Sequence, residues 1–150
     1  MLDNHHLFLF KVQALSRLGF LVASGIGGER DDIAGLTMLK EAAEKDPNAA
    51  HNLGVFYLER KQEALAFEAF LKAADQGCAP ALFNLGNCHL QGIGCTKDEE
   101  KAISCFLKAA DAGHARAMAQ LGQMYSESDP TKSYEYFLAA VRHGFTTDDI

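Results

Sequence analysis

The sequence is short of basic residues. Its 14 lysines and arginines stand against 20 aspartates and glutamates, which gives a net charge of −6 over 150 residues. Proteins that bind nucleic acid present a basic stripe or patch to the phosphates, and no basic stripe is found along this chain. The charge balance therefore argues against a nucleic-acid partner.

A hydrophobic run of membrane-spanning length is also missing. Lys11 and Arg17, with polar residues between them, interrupt the apolar beginning of the chain. The run Leu18–Gly28 is shorter than the roughly 20 residues that a bilayer requires. No basic region precedes it and no small-x-small cleavage site follows, which disfavours a signal peptide. We therefore expect a cytoplasmic protein without membrane insertion.

The cysteines lack the spacing of a zinc site. They are separated by 10, 7 and 10 residues, whereas zinc ligands come in closely spaced pairs. We expect free thiols; a disulfide from Cys88 to Cys95 or Cys105 stays open as the alternative and would need an oxidising compartment. The four cysteines are Cys78, Cys88, Cys95 and Cys105.

Recognisable catalytic and metal-binding motifs are absent as well. The side chains of His5 and His6 diverge, and the other four histidines are far apart in the sequence. Cys88 and His89 are adjacent, and neighbouring side chains of a helix do not face each other. The sequence therefore predicts no catalytic residue, no cofactor and no metal.

What the sequence does contain is a repeat. The pattern Ala-x-x-x-Leu-Gly occurs four times at intervals of 35, 32 and 36 residues, and an Ala-Ala pair follows each copy. A large side chain stands three residues before each pair. Self-similarity at this period is typical of a helical solenoid. The pattern begins at Ala14, Ala49, Ala81 and Ala117, the pairs begin at Ala42, Ala73, Ala109 and Ala139, and the large side chains are Leu39, Phe70, Phe106 and Tyr136.

Each copy is predicted to be a helix–turn–helix unit. In the third copy, Ala81, Leu85 and Cys88 share one face of a helix. A mid-helix glycine such as Gly86 costs about 1 kcal/mol relative to alanine, so its presence in every copy predicts a closely crossing neighbour. A second helix is predicted over about 97–111, with an acidic first turn. We expect Leu53, Leu85 and Leu121 to be buried, and Gly25, Gly27, Gly92 and Gly94 to end first helices.

The third copy also matches a family. It reads Gly-Asn-Cys-His-Leu-Gln-Gly-Ile-Gly-Cys-Thr-Lys-Asp-Glu-Glu-Lys-Ala and closes with Lys-Ala-Ala-Asp-Ala-Gly. It resembles a Sel-one-like repeat, an offshoot of the tetratricopeptide repeats, over about residues 13–144. Copies two and four lack the Gly-x-Gly turn and have shorter connections. The resemblance implies an all-α, right-handed α/α solenoid, a single domain over 1–150. Its repeats lie at about 14–48, 49–80, 81–116 and 117–147, and 1–13 extend the first helix.

The resemblance implies a function too. Members usually act as non-catalytic protein-binding scaffolds, either adaptors or regulatory or inhibitory subunits, and bind a protein partner on the concave face. The alternative is a small hydrolase like the cysteine-rich relatives associated with β-lactams. Their disulfide-forming cysteines sit beside the Ala-Ala pairs, where this sequence has none.

The concave face should be formed by the first helix of each copy. Phe83, Asn87 and Leu90 form a stripe that the core pattern does not need, and exposed apolar residues ringed by amides are typical of an interface centre. Packing of Phe83 against the adjacent repeat is the alternative. A carboxylate clamp is not expected, since Val55 and Phe20 stand where asparagine would be needed. The predicted partner-binding residues are His51, Val55, Leu58, Phe83, Asn87, Leu90 and Gln123, and Ala119 and Ser126 occupy corresponding places.

We expect the C-terminal end of the array to lack a polar closing repeat, which repeat proteins need for solubility. The last copy carries Tyr134, Phe137 and Val141 on the side that a further repeat would cover. We therefore expect this side to meet a partner or a second copy of the chain.

Overall fold

The computed structural model describes residues 3–26 and 31–146. Within them the backbone forms eight α-helices and no strand, and successive helices pack as four pairs. The helix–turn–helix prediction is therefore confirmed. The helices are α1 (Asn4–Ser24), α2 (Asp32–Ala43), α3 (Pro47–Glu59), α4 (Glu63–Asp75), α5 (Ala79–Gln91), α6 (Glu99–Asp111), α7 (Ala115–Tyr125) and α8 (Pro130–Arg142).

Aspartates begin many of these helices. Asp98 precedes α6 and its carboxylate accepts a hydrogen bond from the backbone N–H of Lys101 at 3.0 Å. This bond satisfies one of the four free N–H groups at a helix start, and it also lowers the pKa of Asp98. The acidic run at 98–100 is therefore structural, as the dipole argument predicted. The other N-cap aspartates are Asp3, Asp31, Asp46 and Asp129.

Glycine ends the first helix of pairs one and three. Gly25 and Gly92 have φ angles of 71° and 76°, a left-handed conformation that other residues rarely adopt. Both were predicted to be helix ends, and Gly27 lies outside the described residues. In pair two, Lys61 takes the left-handed angle instead, at 58°.

The chain divides into two compact units, Met1–Gly77 and Cys78–Ile150. In the first unit, helices cross closely at glycines. A Cβ placed on Gly19 of α1 would lie 3.0 Å from the Cβ of Met38 on α2. A Cβ on Gly54 of α3 would lie 2.5 Å from the ring of Phe70 on α4. The predicted close crossing above the mid-helix glycine is confirmed in this unit.

The second unit repeats this arrangement with one change. A Cβ on Gly86 of α5 would lie 2.6 Å from the Phe106 ring, and one on Gly122 of α7 would lie 3.0 Å from the ring of Phe137. By its position three residues before the Ala-Ala pair, Tyr136 was the residue of α8 that corresponds to Phe106. The structure places Phe137 over the glycine instead, so the pattern is wrong by one residue. The Ser133 hydroxyl donates to the Gly122 carbonyl at 2.7 Å and fixes this register.

The predicted leucine core is only partly confirmed. Leu85 and Leu121 are 4% and 0% exposed, but Leu53 is half-buried and the prediction for it is wrong. The core around α3 is filled by the larger side chains of Phe56 and Tyr57, both buried. Leu18, at the same place in α1, is 48% exposed.

The first helix is longer than the rest. α1 has 21 residues and a mean hydropathy of 1.4, so it is long and apolar enough to cross a membrane, contrary to the expectation that the chain has no such run. Of its apolar window, 22% is buried. Gly19 and Ala23 pack against α2, as expected of a helix in a repeat. The four residues Leu7, Phe8, Leu9 and Phe10 are exposed.

Candidate partner-binding surface

The α5 helix has two different sides. Leu82, Leu85 and Cys88 are buried in the core of the second unit. Phe83 and Asn87 lie along another side of the helix, with Leu90 one turn further, and all three are half-buried. Core packing therefore does not fully cover the predicted stripe.

Phe83 is less exposed than the sequence suggested, because it packs within its own unit. Its ring centroid lies 5.7 Å from that of Phe106 and 4.9 Å from that of His114. His114 is held in turn, since its Nδ1 accepts a hydrogen bond from the backbone N–H of Ala117 at 3.2 Å. Phe83 thus anchors the stripe, and Asn87 and Leu90 form its accessible part.

The predicted residues of α3 are arranged in a similar way. His51 and Val55 are half-buried, while Leu58 is 36% exposed. The His51 ring lies 5.9 Å from that of Phe70, as Phe83 lies over Phe106. Burial lowers the pKa of His51, which favours the neutral imidazole.

The residues predicted in α7 and in the turn after it contribute less accessible surface than those of α3 and α5. Gln123 is exposed, but Ala119 is buried. The Ser126 hydroxyl donates to the carbonyl of Gln123 at 2.7 Å. The predicted surface therefore falls into one group on α3 in the first unit and another on α5 and α7 in the second.

The structure pairs a cysteine with a histidine that the sequence did not connect. The Cys95 thiol lies 3.6 Å from Nδ1 of His89 and 3.5 Å from the carbonyl of Cys88. Burial raises the pKa of Cys95 and lowers the pKa of His89. Both groups are therefore neutral near pH 7, whereas a cysteine nucleophile needs its thiolate.

Further cysteine and metal chemistry finds no support in the described residues. None of the four cysteines, all of which lie within the described residues, forms a disulfide. Across residues 3–26 and 31–146, no group of three or more His, Cys, Asp or Glu side chains could hold a metal ion.

A polar groove between α1 and α3 was missed by the sequence reading. The Asn52 side chain donates a hydrogen bond from Nδ2 to the Ser16 hydroxyl at 3.0 Å. Arg17 lies beside this pair on α1. Ser16 and Asn52 are 36 residues apart in the sequence, and the sequence analysis did not connect them.

The helix pairs coincide with the repeats of a known family. The family model named Sel1 repeat matches residues 12–47, 47–78, 79–114 and 115–145. The chain is a Sel1 repeat protein. The resemblance read from the third copy is thereby confirmed, and with it the all-α solenoid fold. Sel1 repeats are in general non-catalytic scaffolds for protein–protein binding.

Solved structures agree with this family. A Sel1 repeat protein from Oxalobacter formigenes is 25% identical, with a TM-score of 0.78, over 86% of this chain and 56% of that one. The protective antigen c5321 of uropathogenic Escherichia coli, which has an SLR fold, is 28% identical, with a TM-score of 0.76. That match covers 91% of this chain and 35% of the antigen.

A third structure shares the fold alone. The immunity protein Pa5087 from Pseudomonas aeruginosa is 24% identical, with a TM-score of 0.65, over 89% of this chain and 53% of that protein. This Sel1 repeat protein therefore spans between about a third and little more than half of the length of these relatives. Among curated proteins, none matches.

Proposed function

We propose that this Sel1 repeat protein is a non-catalytic adaptor or a regulatory or inhibitory subunit that binds a protein partner. The binding surface would be formed by the first helices of the repeats. The observation that carries the proposal is the second side of α5, where Asn87 and Leu90 stay half-exposed beside the anchored ring of Phe83. Amides around an apolar centre fit the composition of a protein interface.

The electrostatics support a scaffold over the hydrolase alternative. An enzyme needs a nucleophile or an acid–base pair with suitably shifted pKa values. In the Cys95–His89 pair the shifts favour the two neutral forms, which leaves the thiol unactivated. No observation favours the β-lactam-type hydrolase.

We also propose that α1 serves as a repeat helix of a cytoplasmic protein and does not cross a membrane. Its Gly19 and Ala23 are buried against α2, and Lys11 and Arg17 lie within its length. A helix whose small residues are needed for packing on a neighbour cannot expose that side to lipid.

Affinity capture with the whole chain, followed by mass spectrometry, would identify the partner, and Asn87→Arg would test the surface. Asn87 is the better position than Phe83, because loss of the Phe83 ring would disturb the packing of Phe106 and His114. Asn87→Arg should weaken partner binding at least about thirtyfold, since a hot-spot change costs about 2 kcal/mol or more, with an unchanged melting temperature.

The matched control is Ser104→Arg, which adds the same side chain at an exposed position of α6. It should bind the partner like the wild type. Equal binding by both variants, or equal loss in both, would show that the partner does not use the α5 stripe.

A further inference from the structure

The groove between α1 and α3 in the first unit consists of two adjoining cavities. The first, of about 190 Å³, is polar, and the second, of about 280 Å³, is mostly apolar. Arg17 and Asn52 line both, so a ligand that fills the two cavities contacts these side chains. The polar cavity is lined by Gln13, Ser16, Arg17, Asp46, Asn48 and Asn52, and the apolar one by Arg17, Phe20, Leu21 and Asn52.

The polar cavity offers hydrogen-bond donors and a cation. Arg17 makes no hydrogen bond and no ion pair with any other residue of the described ranges 3–26 and 31–146. Asn52 uses one of its two amide hydrogens to donate to Ser16 and has a second one. A guanidinium and an amide at one site match the geometry of a carboxylate.

The cavity also contains one acidic group. Asp46 is the N-cap of α3, and its carboxylate accepts hydrogen bonds from the backbone N–H and from the side-chain amide of Asn48, at 2.9 and 3.3 Å. Both bonds are accepted by Oδ1 of Asp46, which is thus directed to the helix start. Arg17 is the cation among the residues that line this cavity. The negative charge of Asp46 nevertheless opposes the binding of an anionic ligand, so removing this charge should strengthen the binding of such a ligand.

The spacing of the two cavities fits an extended peptide. The α1 residues that line the apolar cavity lie four positions further along the helix than those of the polar cavity, which is about 6 Å. Side chains two residues apart on an extended strand point the same way and are separated by about 6.6 Å. One peptide lying along α1 can therefore fill both cavities with alternate side chains.

We propose that this groove binds an extended segment of a partner protein in which an acidic residue and a large apolar residue are separated by one position. The carboxylate of the acidic side chain pairs with Arg17 and Asn52, and the apolar side chain enters the cavity at Phe20 and Leu21. This proposal rests on the scaffold function proposed above and names one sequence feature of its partner.

The test uses synthetic fluorescent peptides with blocked ends, Ser-Gly-Glu-Ser-Leu-Gly-Ser and the reversed order Ser-Gly-Leu-Ser-Glu-Gly-Ser, measured by fluorescence anisotropy with the full chain. One order should bind and shift the side-chain amide resonances of Asn52. Replacing Glu by Gln, or Leu by Ser, in that peptide should weaken binding about tenfold. Failure of both orders to bind would overturn the proposal.

Two protein variants locate the recognised charge. Arg17→Gln should abolish the preference for Glu over Gln while keeping the preference for Leu over Ser. Asp46→Asn, which still caps a helix, should strengthen binding of the Glu peptide by a few fold. The charge-matched control Arg142→Gln, at an exposed position of the second unit, should change neither preference. A preference for Glu that survives Arg17→Gln contradicts the proposal.

The same probes separate other outcomes. A peptide without an acidic side chain but with a free terminal carboxylate that binds better than the Glu peptide would replace side-chain recognition by end recognition and overturn this inference. If Asn87→Arg loses the captured partner and the peptides do not bind, the scaffold proposal stands and the groove inference falls.

Discussion

The four leucines of the repeated pattern occupy equivalent positions but are buried to different degrees. Leu85 is enclosed in the core of the second unit, whereas Leu53 is half-buried in the first unit, where Phe56 and Tyr57 of the same helix are buried. Burial, and with it the energetic weight of a side chain, is set by its neighbours. A repeat pattern identifies equivalent positions without fixing how deeply each is enclosed.

This difference predicts unequal costs of truncation. Leu85→Ala should lower the free energy of unfolding by about 2–5 kcal/mol, as for a fully buried leucine, and Leu53→Ala by clearly less. Chemical denaturation of both variants measures these costs. A loss below about 1 kcal/mol for Leu85→Ala, or equal losses for the two, would contradict the burial described here.

His51 should make stability depend on pH. Burial lowers its pKa in the folded chain below the ordinary value of 6.5, so the unfolded chain takes up a proton at higher pH than the folded one. The contribution of the neutral His51 ring to the free energy of unfolding is therefore fully present above pH 6.5. It decreases as the pH falls below 6.5 towards the pKa that His51 has in the folded chain. Urea denaturation at a series of pH values from about 7 to 5 would measure this decline.

The control for this prediction is His51→Phe. Phe83 occupies the equivalent position one repeat later and packs on Phe106 as His51 packs on Phe70, so the ring fits. The variant should lose part of the decline in stability below pH 6.5. An unchanged decline would assign it to other groups, such as His89, whose pKa burial also lowers.

At the scale of the helices, the crossing of each pair depends on a missing side chain. A Cβ on Gly86 would lie 2.6 Å from the Phe106 ring, too close for any real contact. In Gly86→Ala, overpacking should lower the free energy of unfolding by about 1–3 kcal/mol. The higher helix propensity of alanine should offset about 1 kcal/mol of this, so we expect a net loss of up to about 2 kcal/mol. Thermal and chemical unfolding of the variant would show the net loss.

A second substitution tests the cause of that loss. Phe106→Leu in the Gly86→Ala background should recover part of the stability, because pair one places Leu39 over Gly19 at this position. Ser104→Ala, at an exposed position of α6, serves as the control and should change little. Additive losses in the double variant would mean that the ring and the new methyl group do not compete.

The sequence predicted the eight helices and their pairing within repeats well, because helix formation depends on residues that are close together in the chain. The period of the pattern, the mid-helix glycines and the acidic start of α6 all correspond to features of the helices. The place of Tyr136 could not be read from the Ala-Ala pair, since the hydrogen bond from Ser133 to the Gly122 carbonyl selects Phe137. The stacking of Phe83 on His114 also depends on where a later helix begins.

The candidate sites were less accessible to sequence reasoning. The stripe of Phe83, Asn87 and Leu90 follows from helical periodicity, and its role in binding stays a prediction. The groove at Arg17 depends on the distance between α1 and α3, which no spacing along the chain encodes. The Cys95–His89 contact depends on the path of the long connection between α5 and α6.

At the scale of the whole molecule, α8 leaves apolar surface uncovered. Tyr134 and Val141 are 68% and 62% exposed, and exposed apolar patches of this kind are commonly interaction sites. We expect the sedimentation coefficient of the wild-type chain to rise with concentration, and that of a Tyr134→Lys, Val141→Lys double variant to stay constant.

The control lies on another apolar surface. Phe10 on α1 is also strongly exposed, and Phe10→Lys should leave self-association unchanged if α8 forms the contact. A wild-type chain that remains monomeric at every concentration, with no partner at α8, would refute the prediction that the exposed apolar surface of α8 is an interaction site.

The rings over Gly54, Gly86 and Gly122 also limit how the length of this chain can change. A one-residue deletion within α5 would bring a residue with a side chain under Phe106, whereas a deletion in the 92–98 connection would leave the contact intact. Five helices, α3, α4, α5, α6 and α8, each have 13 residues, whereas α1, α2 and α7 have 21, 12 and 11. The connections within pairs two, three and four span 60–62, 92–98 and 126–129. In repeats two and three the helices are equally long, so the difference between the intervals of 32 and 36 residues arises in the connections 60–62 and 92–98.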